Sequence, residues 1–329
     1  MSKKYGIPGD SKVPTIAGMK QVCDLKKGDI LFSANSYLPI GVKSVEDIGM
    51  RDVYQVTTDD GRQFVCSADQ PIPAGIKTIG GIVPDIHCTA KDLLKKYKHT
   101  FKGVESYMYV MPNSDGINYR HIKVDMSPAV AAVLTQNVIQ SKCLITTRMD
   151  PWVVDMIADE FGLSYKVKGN VVVFTNRFGF PVKADPILKG IGYPNRYKPS
   201  ERKIDERYLR GCRNEVEAYL IYAKCMAYTW PWEQLGSNDI NYFYTESEAM
   251  AKQYQMGLAS LGTKTKVKPV AHGYVVYIDE RDDGDLLITS VKKLPNQHRC
   301  YSIGTYTEVS PIFLTEEYFS MFAGNAFDK

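Results

Sequence analysis

Basic side chains recur at strand spacing in two stretches of the sequence. Lys264, Lys266 and Lys268 alternate along a predicted strand, so their ammonium groups are expected on one face of a sheet. Lys166 and Lys168 occupy the matching segment of an earlier, similar stretch. Such a face binds phosphate groups, because Lys and Arg neutralise the backbone of nucleic acids. The other candidates for a DNA-binding surface are Arg196, Lys198, Arg202 and Lys203.

Two glutamates, Glu215 and Glu217, stand on either side of Val216. Carboxylates brought together at a domain interface hold Mg²⁺ against a phosphate and activate water. Glutamates at a helix end more commonly face solvent, which is the structural alternative for this pair. We therefore predict no resident cofactor.

The composition limits the remaining classes of function. The chain has 329 residues, a formal charge of +4, seven scattered cysteines and five isolated histidines. No Cys-x-x-Cys pair or histidine spacing indicates a metal site. No apolar run reaches the roughly 18 residues of a membrane-spanning helix, and no signal peptide is visible. We expect a cytoplasmic protein with no membrane partner.

An internal duplication is predicted to position the lysines. Residues 144–174 and 242–278 each read as a strand, a helix, a glycine stop and two more strands. A further helix is predicted ahead of each copy, at 128–137 and at 208–217. The duplication predicts a pseudo-twofold α+β domain.

Local signals set the ends of the two helices inside the duplication. Asp150 is predicted as an N-cap and Pro151 as the first helical residue. Thr245 and Glu248 are predicted to form a capping box. Gly162 and Gly262 are predicted to end the helices in the left-handed conformation; the sequence places both glycines directly after apolar periodic segments.

Short strands and turns dominate the first 75 residues. The segments 53–57 and 62–66 flank Asp59-Asp60-Gly61, which predicts a tight hairpin because aspartate and glycine tolerate the turn conformation. Motifs at the two ends of the chain then follow a fixed order. They are Gly9-Asp10-Ser11, Asp24-Leu25-Lys26-Lys27-Gly28-Asp29, Gly61-Arg62, Ser67-Ala68-Asp69-Gln70, Cys300-Tyr301-Ser302-Ile303, Phe313-Leu314-Thr315-Glu316-Glu317-Tyr318-Phe319 and Gly324-Asn325.

Together these motifs resemble the two halves of an intein. The resemblance implies an all-β Hint domain built from residues 1–120 and 286–329, with residues 121–285 inserted. It also implies where the splicing chemistry would lie, and most of those positions hold residues that cannot perform it. The positions are Gly6 for the first nucleophile, Gln70 for a histidine, Ser302 for an aspartate or cysteine, Gly324 for the penultimate histidine, Asn325 for the cyclising asparagine and Ala326 for the downstream nucleophile.

Only Asn325 retains the family's residue, so the resemblance predicts a Hint fold without splicing activity. Glycine and alanine offer no nucleophile, and glutamine exchanges no proton near neutral pH.

The inserted segment resembles a LAGLIDADG homing endonuclease. Leu209-Arg210-Gly211 matches the start of the second motif of that family. The resemblance implies two packed helices whose C-terminal ends each carry an acidic metal ligand. The aligned positions hold Gln136 and Asn137 in the first helix and Val216, between Glu215 and Glu217, in the second. The resemblance therefore implies at best half of a nuclease site, with Glu215 or Glu217 as the metal ligand, and Mg²⁺ bound only if nuclease activity survives.

Four functions remain open on the sequence. The first is a DNA-binding module derived from an intein and a homing endonuclease, with double-stranded DNA as its partner. The second is a non-catalytic subunit of a larger complex, such as a phage virion or polymerase component, with a protein partner. The third is a true intein carrying inactivating substitutions. The fourth is a residual Mg²⁺-dependent endonuclease. The balance favours a protein that is not an enzyme, located in the cytoplasm of the host cell if phage-encoded, or in a virion.

Overall fold

The computed structural model describes fourteen stretches of the chain. They are residues 5–33, 39–78, 81–85, 88–96, 98–101, 104–114, 116–117, 119, 124–137, 142–192, 198–227, 242–278, 285–306 and 312–323. Arg196, Gly324, Asn325 and Ala326 lie outside these stretches.

The fold is mostly β. The strands are β1 Ile7–Pro8, β2 Lys12–Thr15, β3 Gly18–Gln21, β4 Ile30–Phe32, β5 Pro39–Arg51, β6 Val53–Thr58, β7 Gln63–Ser67, β8 Ala74–Thr78, β9 Gly81–Asp85, β10 Lys98–Phe101, β11 Val104–Met111, β12 Ile145–Thr146, β13 Ser164–Lys168, β14 Val171–Thr175, β15 Tyr242–Thr245, β16 Lys266–Val270, β17 Gly273–Tyr277, β18 Leu286–Lys293, β19 His298–Thr305, β20 Ile312–Leu314 and β21 Ser320–Phe322. The helices are α1 Ala90–Lys96, α2 Pro128–Asn137, α3 Pro151–Phe161, α4 Ala184–Gly190, α5 Arg213–Met226 and α6 Glu248–Ser260.

The chain divides into two compact units. The terminal unit contains residues 1–118, 258–266 and 279–329, and the central unit contains residues 119–257 and 267–278. The segment 258–266, which follows most of α6 in the sequence, therefore groups with the terminal unit.

In the terminal unit, strands from both ends of the sequence share the same sheets. A six-stranded sheet has the order β1-β19-β5-β4-β2-β3, so β19 lies between two strands of the N-terminal half. A larger sheet contains the order β7-β6-β18-β11-β8-β9. Buried residues from both chain ends, among them Ile7, Val56, Ile303 and Phe319, belong to one apolar cluster. Pairing and burial of these strands hold the two ends of the sequence together.

The hairpin predicted around residues 59–61 is confirmed. Strands β6 and β7 pair in antiparallel register from Val53↔Ser67 to Thr57↔Gln63. Gly61 has a φ of 87°, the left-handed region in which glycine has no Cβ penalty. Thr58 donates through Oγ1 to Asp60 Oδ1 at 2.7 Å, which fixes the turn from inside.

The duplication predicted from the sequence is confirmed at the level of its elements. The first copy forms a three-stranded sheet of order β12-β14-β13 and the second a sheet of order β15-β17-β16. Each copy has one helix, α3 or α6, after its first strand. The helices that precede the copies, α2 and α5, pack against each other. The hydroxyls of Tyr219 and Thr135 form a hydrogen bond of 3.2 Å across this contact.

Three details of the helix ends differ from the sequence prediction. Asp150 is the N-cap of α3 and Pro151 follows it, but the Asp150 side chain makes no capping hydrogen bond. Ser247, and not Thr245, caps α6, because Ser247 Oγ accepts from Met250 N at 3.2 Å. The helix predicted over 208–217 is instead a short 3₁₀ turn, Glu206–Leu209, followed by α5.

Candidate functional site

The position predicted for the first splicing nucleophile, Gly6, lies just ahead of β1 and is held by its backbone. Gly6 N donates to Ser67 Oγ at 3.0 Å, and Ser67 N donates to Gly6 O at 2.9 Å. Beyond it, Ile7 pairs with Tyr301 in β19. The Ser67 hydroxyl, at the start of the Ser67-Ala68-Asp69-Gln70 motif, therefore accepts a hydrogen bond from the N–H of the Tyr5–Gly6 peptide group.

The space around Gly6 excludes a side chain. A Cβ atom built at this residue would lie 2.1 Å from the backbone oxygen of Tyr301 and 3.0 Å from Ser302 N. The first of these distances is far below any real carbon–oxygen contact, and the atom that would have to move is backbone. Glycine at this position is thus required by the packing as well as being chemically inert.

The other predicted splice positions that the structure describes are Gln70 and Ser302. Gln70 is buried and donates through Nε2 to Pro71 O at 3.0 Å. Ser302 lies half-buried in β19, opposite Glu46 of β5. Burial raises the pKa of the Cys66 thiol, next to Ser67, and raises that of Cys300 to about 11. Neither thiol is thereby poised as a thiolate at neutral pH.

The two ends of the sequence meet next to this site. The hydroxyl of Tyr5, one residue before Gly6, donates to the carbonyl oxygen of Ala323 at 3.1 Å. Ala323 directly precedes the predicted positions Gly324, Asn325 and Ala326, which lie outside the described residues. The sequence alone carried no signal for this hydrogen bond.

An ionic cluster that the sequence analysis missed joins the hairpin to the C-terminal motif. Arg62 Nε donates to Asp60 Oδ2 at 2.6 Å, and both side chains are almost fully buried. Arg62 also donates through Nη1 to Glu317 O at 3.0 Å and lies over the Phe319 ring, 5.2 Å from its centroid. Asn113 Oδ1 accepts from Arg62 Nη2 at 3.3 Å.

Within this cluster, Glu317 has a strongly perturbed carboxyl group. Burial raises its pKa to about 7, although Gln63 N donates to the carboxylate and the Arg62 cation lies nearby, and both act in the opposite direction. Glu317 lines a cavity of about 150 Å³ together with Ile7, Ser11, Lys12 and Thr315. A carboxyl group of this pKa exchanges protons at neutral pH, a property that Gln70 lacks. The paired Glu316-Glu317 in the sequence gave no indication of which residue would be the less exposed.

In the central unit, the two glutamates proposed as metal ligands lie at the wrong end of their helix. Both are in the first turns of α5, where Glu215 Oε2 accepts from Cys212 N at 2.8 Å as part of a capping box. Glu217 pairs with Arg213 Nε at 2.9 Å. The last turn of α5 carries Lys224. The register predicted for the second motif is therefore wrong, because the helix begins later in the sequence than expected.

One of the two amide positions of the first motif, Gln136, is engaged in packing. Gln136, near the end of α2, is buried and contacts Met250 Sδ at 3.5 Å through Nε2. Its Oε1 accepts from Arg202 Nη1 at 3.4 Å. Among the residues that the structure describes, no three His, Cys, Asp or Glu side chains gather as a metal site.

The predicted basic face is only partly present. Lys264 does not belong to it, because it precedes β16 and its side chain is buried against Asp59, with Nζ 2.9 Å from Oδ2. The same ammonium group donates to Asp285 O. Lys266 is half-buried, 3.9 Å from the same carboxylate. Lysine alternation cannot reveal this difference, since Asp59 is 205 positions away from Lys264.

The remaining basic candidates differ in exposure. Arg202 is half-buried through its contact with Gln136. The exposed members of the set are Lys166, Lys168, Lys198, Lys203 and Lys268. Lys166 and Lys168 lie on β13 and Lys268 lies on β16, which are the corresponding outer strands of the two three-stranded sheets.

Solved structures that are similar to this chain include several inteins. No family model and no curated protein matches the chain. Among solved structures, 35 chains match. The gp41-1 intein is 17% identical over 32% of this chain and 85% of its own, with a TM-score of 0.22. A DnaB intein from Synechocystis is 22% identical over 32% of this chain and 77% of its own, with a TM-score of 0.22.

A mutant of a DnaB mini-intein variant aligns over 97% of this chain and 99% of its own, with 9% identity and a TM-score of 0.31. TM-scores of this size do not by themselves establish a shared fold. Among the described residues, no helix combines the length and apolar character needed to cross a bilayer.

Proposed function

We propose that this chain is an intein-derived protein that has lost splicing and that binds double-stranded DNA through its central unit. The terminal unit would be the Hint domain, formed by both ends of the sequence. The central unit would be a LAGLIDADG-type domain that retains DNA binding without cleavage. Cleavage and splicing depend on a few reactive side chains, whereas phosphate binding is spread over many residues and survives their loss more easily.

The observation that carries the DNA-binding proposal is the repetition of exposed lysines on equivalent strands. Lys166 and Lys168 on β13 and Lys268 on β16 occupy the outer strands of sheets with the same strand order. Residues 263–278 and 161–184 contain no acidic side chain, although Asp59 lies against Lys264 and Lys266. Within these three-stranded sheets, the hairpins β13–β14 and β16–β17 are two-stranded ribbons. Two-stranded ribbons fit the major groove of duplex DNA, where lysines neutralise phosphates.

Loss of splicing is supported by the geometry at Gly6. The Tyr5–Gly6 peptide is held by Ser67, yet a side chain at position 6 would collide with Tyr301 O. The Tyr5–Gly6 peptide, at the predicted N-terminal splice junction, would then be held as an ordinary hydrogen-bonded backbone segment. This arrangement favours a stable scaffold over a true intein that is inactivated by one substitution.

The test is DNA binding measured across a range of salt concentrations. The variant Lys166→Ser/Lys168→Ser/Lys268→Ser should bind a mixed-sequence duplex more weakly than the parent protein. Between about 50 and 200 mM salt, the slope of log affinity against log salt should become shallower by about 0.9 for each phosphate contact removed.

The matched control carries the same charge change in the terminal unit. Lys26, Lys27 and Lys43 are exposed there, and Lys26→Ser/Lys27→Ser/Lys43→Ser should leave the affinity and the slope close to those of the parent. Equal losses in the two variants would show that binding follows net charge alone, and an undetectable affinity of the parent protein at low salt would reject DNA binding.

A further inference from the structure

Two phenylalanines project from a tight turn at the end of β14. Phe178 and Phe180 are 69% and 68% exposed. Burial of such a side chain stabilises a protein, and these two rings contribute little of that stabilisation because they remain exposed. We call residues 176–180 the aromatic tip.

The aromatic tip is rigidly held. Asn176 Oδ1 accepts from Phe178 N at 3.0 Å and from Phe180 N at 3.1 Å. Asn176 N donates to Phe180 O at 2.9 Å, and Gly179 N donates to Asn176 O at 2.8 Å. Gly179 has a φ of 80°, which the turn needs and which glycine adopts without strain. The two rings are therefore presented by a fixed backbone and lose little entropy on binding a partner.

Positive charge surrounds the tip. Residues 161–184 include four basic side chains, all exposed, and no acidic one: Lys166, Lys168, Arg177 and Lys183. The Arg177 guanidinium lies over the Phe178 ring, 4.8 Å from its centroid. Lys166 Nζ lies 3.4 Å from the point where a Cβ of Gly179 would stand, so this ammonium group contacts the turn. The tip thus combines planar apolar groups with cations and carries no charge that would repel phosphate.

This inference rests on the proposed DNA-binding function and deepens it. We propose that the aromatic tip inserts into a base step of duplex DNA, with Phe178 and Phe180 stacking on the partly unstacked bases. Arg177 and Lys166 then neutralise the phosphates that flank the opened step. Apolar wedges of this kind kink DNA, and pyrimidine–purine steps open most easily. The absence of acidic residues from this stretch favours a polyanion over an ordinary protein surface as the occupant.

The experiment compares Phe178→Ser/Phe180→Ser with the parent protein on a duplex that contains one TA step and 2-aminopurine at that step. The parent protein should raise the 2-aminopurine fluorescence, because the base becomes unstacked. The double variant should abolish the rise and bind about tenfold more weakly or worse, given the usual effect of removing a stacked aromatic. The salt slope should stay unchanged, because no charge is removed.

Two controls make the result specific. Met149→Ser/Ile221→Ser removes two other exposed apolar side chains of the central unit and should leave affinity and fluorescence unchanged. Phe178→Tyr/Phe180→Tyr keeps planar rings and should retain most of the binding. If the serine variant binds like the parent protein and still unstacks the base, the aromatic tip is not a DNA wedge.

The outcome also separates this inference from the proposed function. Salt-dependent binding by the parent that ignores the phenylalanines overturns only the role of the tip. Absence of binding by the parent overturns both. Phenylalanine-dependent binding to vesicles containing phosphatidylserine, with unaltered DNA affinity, would identify a lipid surface as the occupant and reject the wedge.

Discussion

The hydroxyl of Tyr5 donates a hydrogen bond of 3.1 Å to the carbonyl oxygen of Ala323, which joins the beginning of the described chain to its end. Both residues are buried. Tyr5→Phe removes the donor and leaves the buried carbonyl without it, at a cost of about 1 kcal/mol in the free energy of unfolding.

Urea unfolding of the whole chain measures this loss. The matched control is Tyr165→Phe, since the Tyr165 hydroxyl makes a bond of the same length to Asp155 Oδ1 at an exposed position. In Tyr165→Phe, water can hydrogen-bond to Asp155 in place of the lost hydroxyl. The control should therefore lower the free energy of unfolding by less than Tyr5→Phe. Equal effects would indicate that the bond between the chain ends contributes nothing specific.

The space at Gly6 predicts that introducing a nucleophile there does not restore splicing. Gly6→Ala should destabilise the terminal unit by about 1–3 kcal/mol, because the added Cβ meets backbone. Gly6→Cys should be destabilised at least as much and should yield no cleaved or ligated product on a denaturing gel. Gly41→Ala is the control, as its Cβ would meet only the exposed Tyr306 side chain at 3.1 Å. A spliced product from Gly6→Cys would contradict the prediction.

The buried Asp60–Arg62 pair should be sensitive to loss of either charge. Asp60→Asn leaves the Arg62 guanidinium buried without its counter-charge, which costs about 3–5 kcal/mol. The control is Asp52→Asn in an exposed pair, where Asp52 Oδ2 and Lys293 Nζ are also 2.6 Å apart. It should destabilise the protein much less, because water solvates both groups. Thermal unfolding midpoints would compare the variants, and similar shifts for both would argue against the importance of burial.

Glu317 predicts a specific pH dependence of stability. Its pKa in the folded protein, about 7, lies above the ordinary value of 4.5. The folded state therefore binds more protons than the unfolded state between these values, and the contribution of this group to stability falls as pH rises from about 4.5 to about 7. Above about pH 7 the stabilising contribution of Glu317 is fully lost and no longer changes with pH.

Glu317→Gln should flatten that part of the stability profile, measured by urea unfolding at several pH values. The adjacent Glu316, which is half exposed, supplies the control Glu316→Gln. If the two variants had the same profile, the raised pKa would belong to another group.

The positions of Glu215 and Glu217 predict that the protein does not cut DNA. Supercoiled plasmid incubated with the protein and Mg²⁺ should remain supercoiled. Glu215→Ala should lower stability by about 1 kcal/mol through loss of the capping interaction with Cys212 N, without changing DNA affinity. Nicking that disappears in Glu215→Gln would establish a residual nuclease and overturn this prediction.

The sequence by itself determined the local elements of this protein. The turn at residues 59–61, the helix from Pro151 to Phe161 with its left-handed Gly162, and the repeated strand–helix–strand–strand order follow from short-range periodicity and backbone preference. These signals act within a few residues, so tertiary contacts seldom overrule them. The order of the motifs at the two ends also indicated that residues from both ends belong to one domain.

Only the tertiary structure decided which of those residues are exposed and which have space for a reactive side chain. Lys264 looked equivalent to Lys268 along the chain, but Asp59 holds it inside the terminal unit. Gly6 looked like the simple loss of a nucleophile, but Tyr301 O leaves no room for one. Burial, steric space and ion pairing depend on partners hundreds of positions away, and a local pattern carries no information about them.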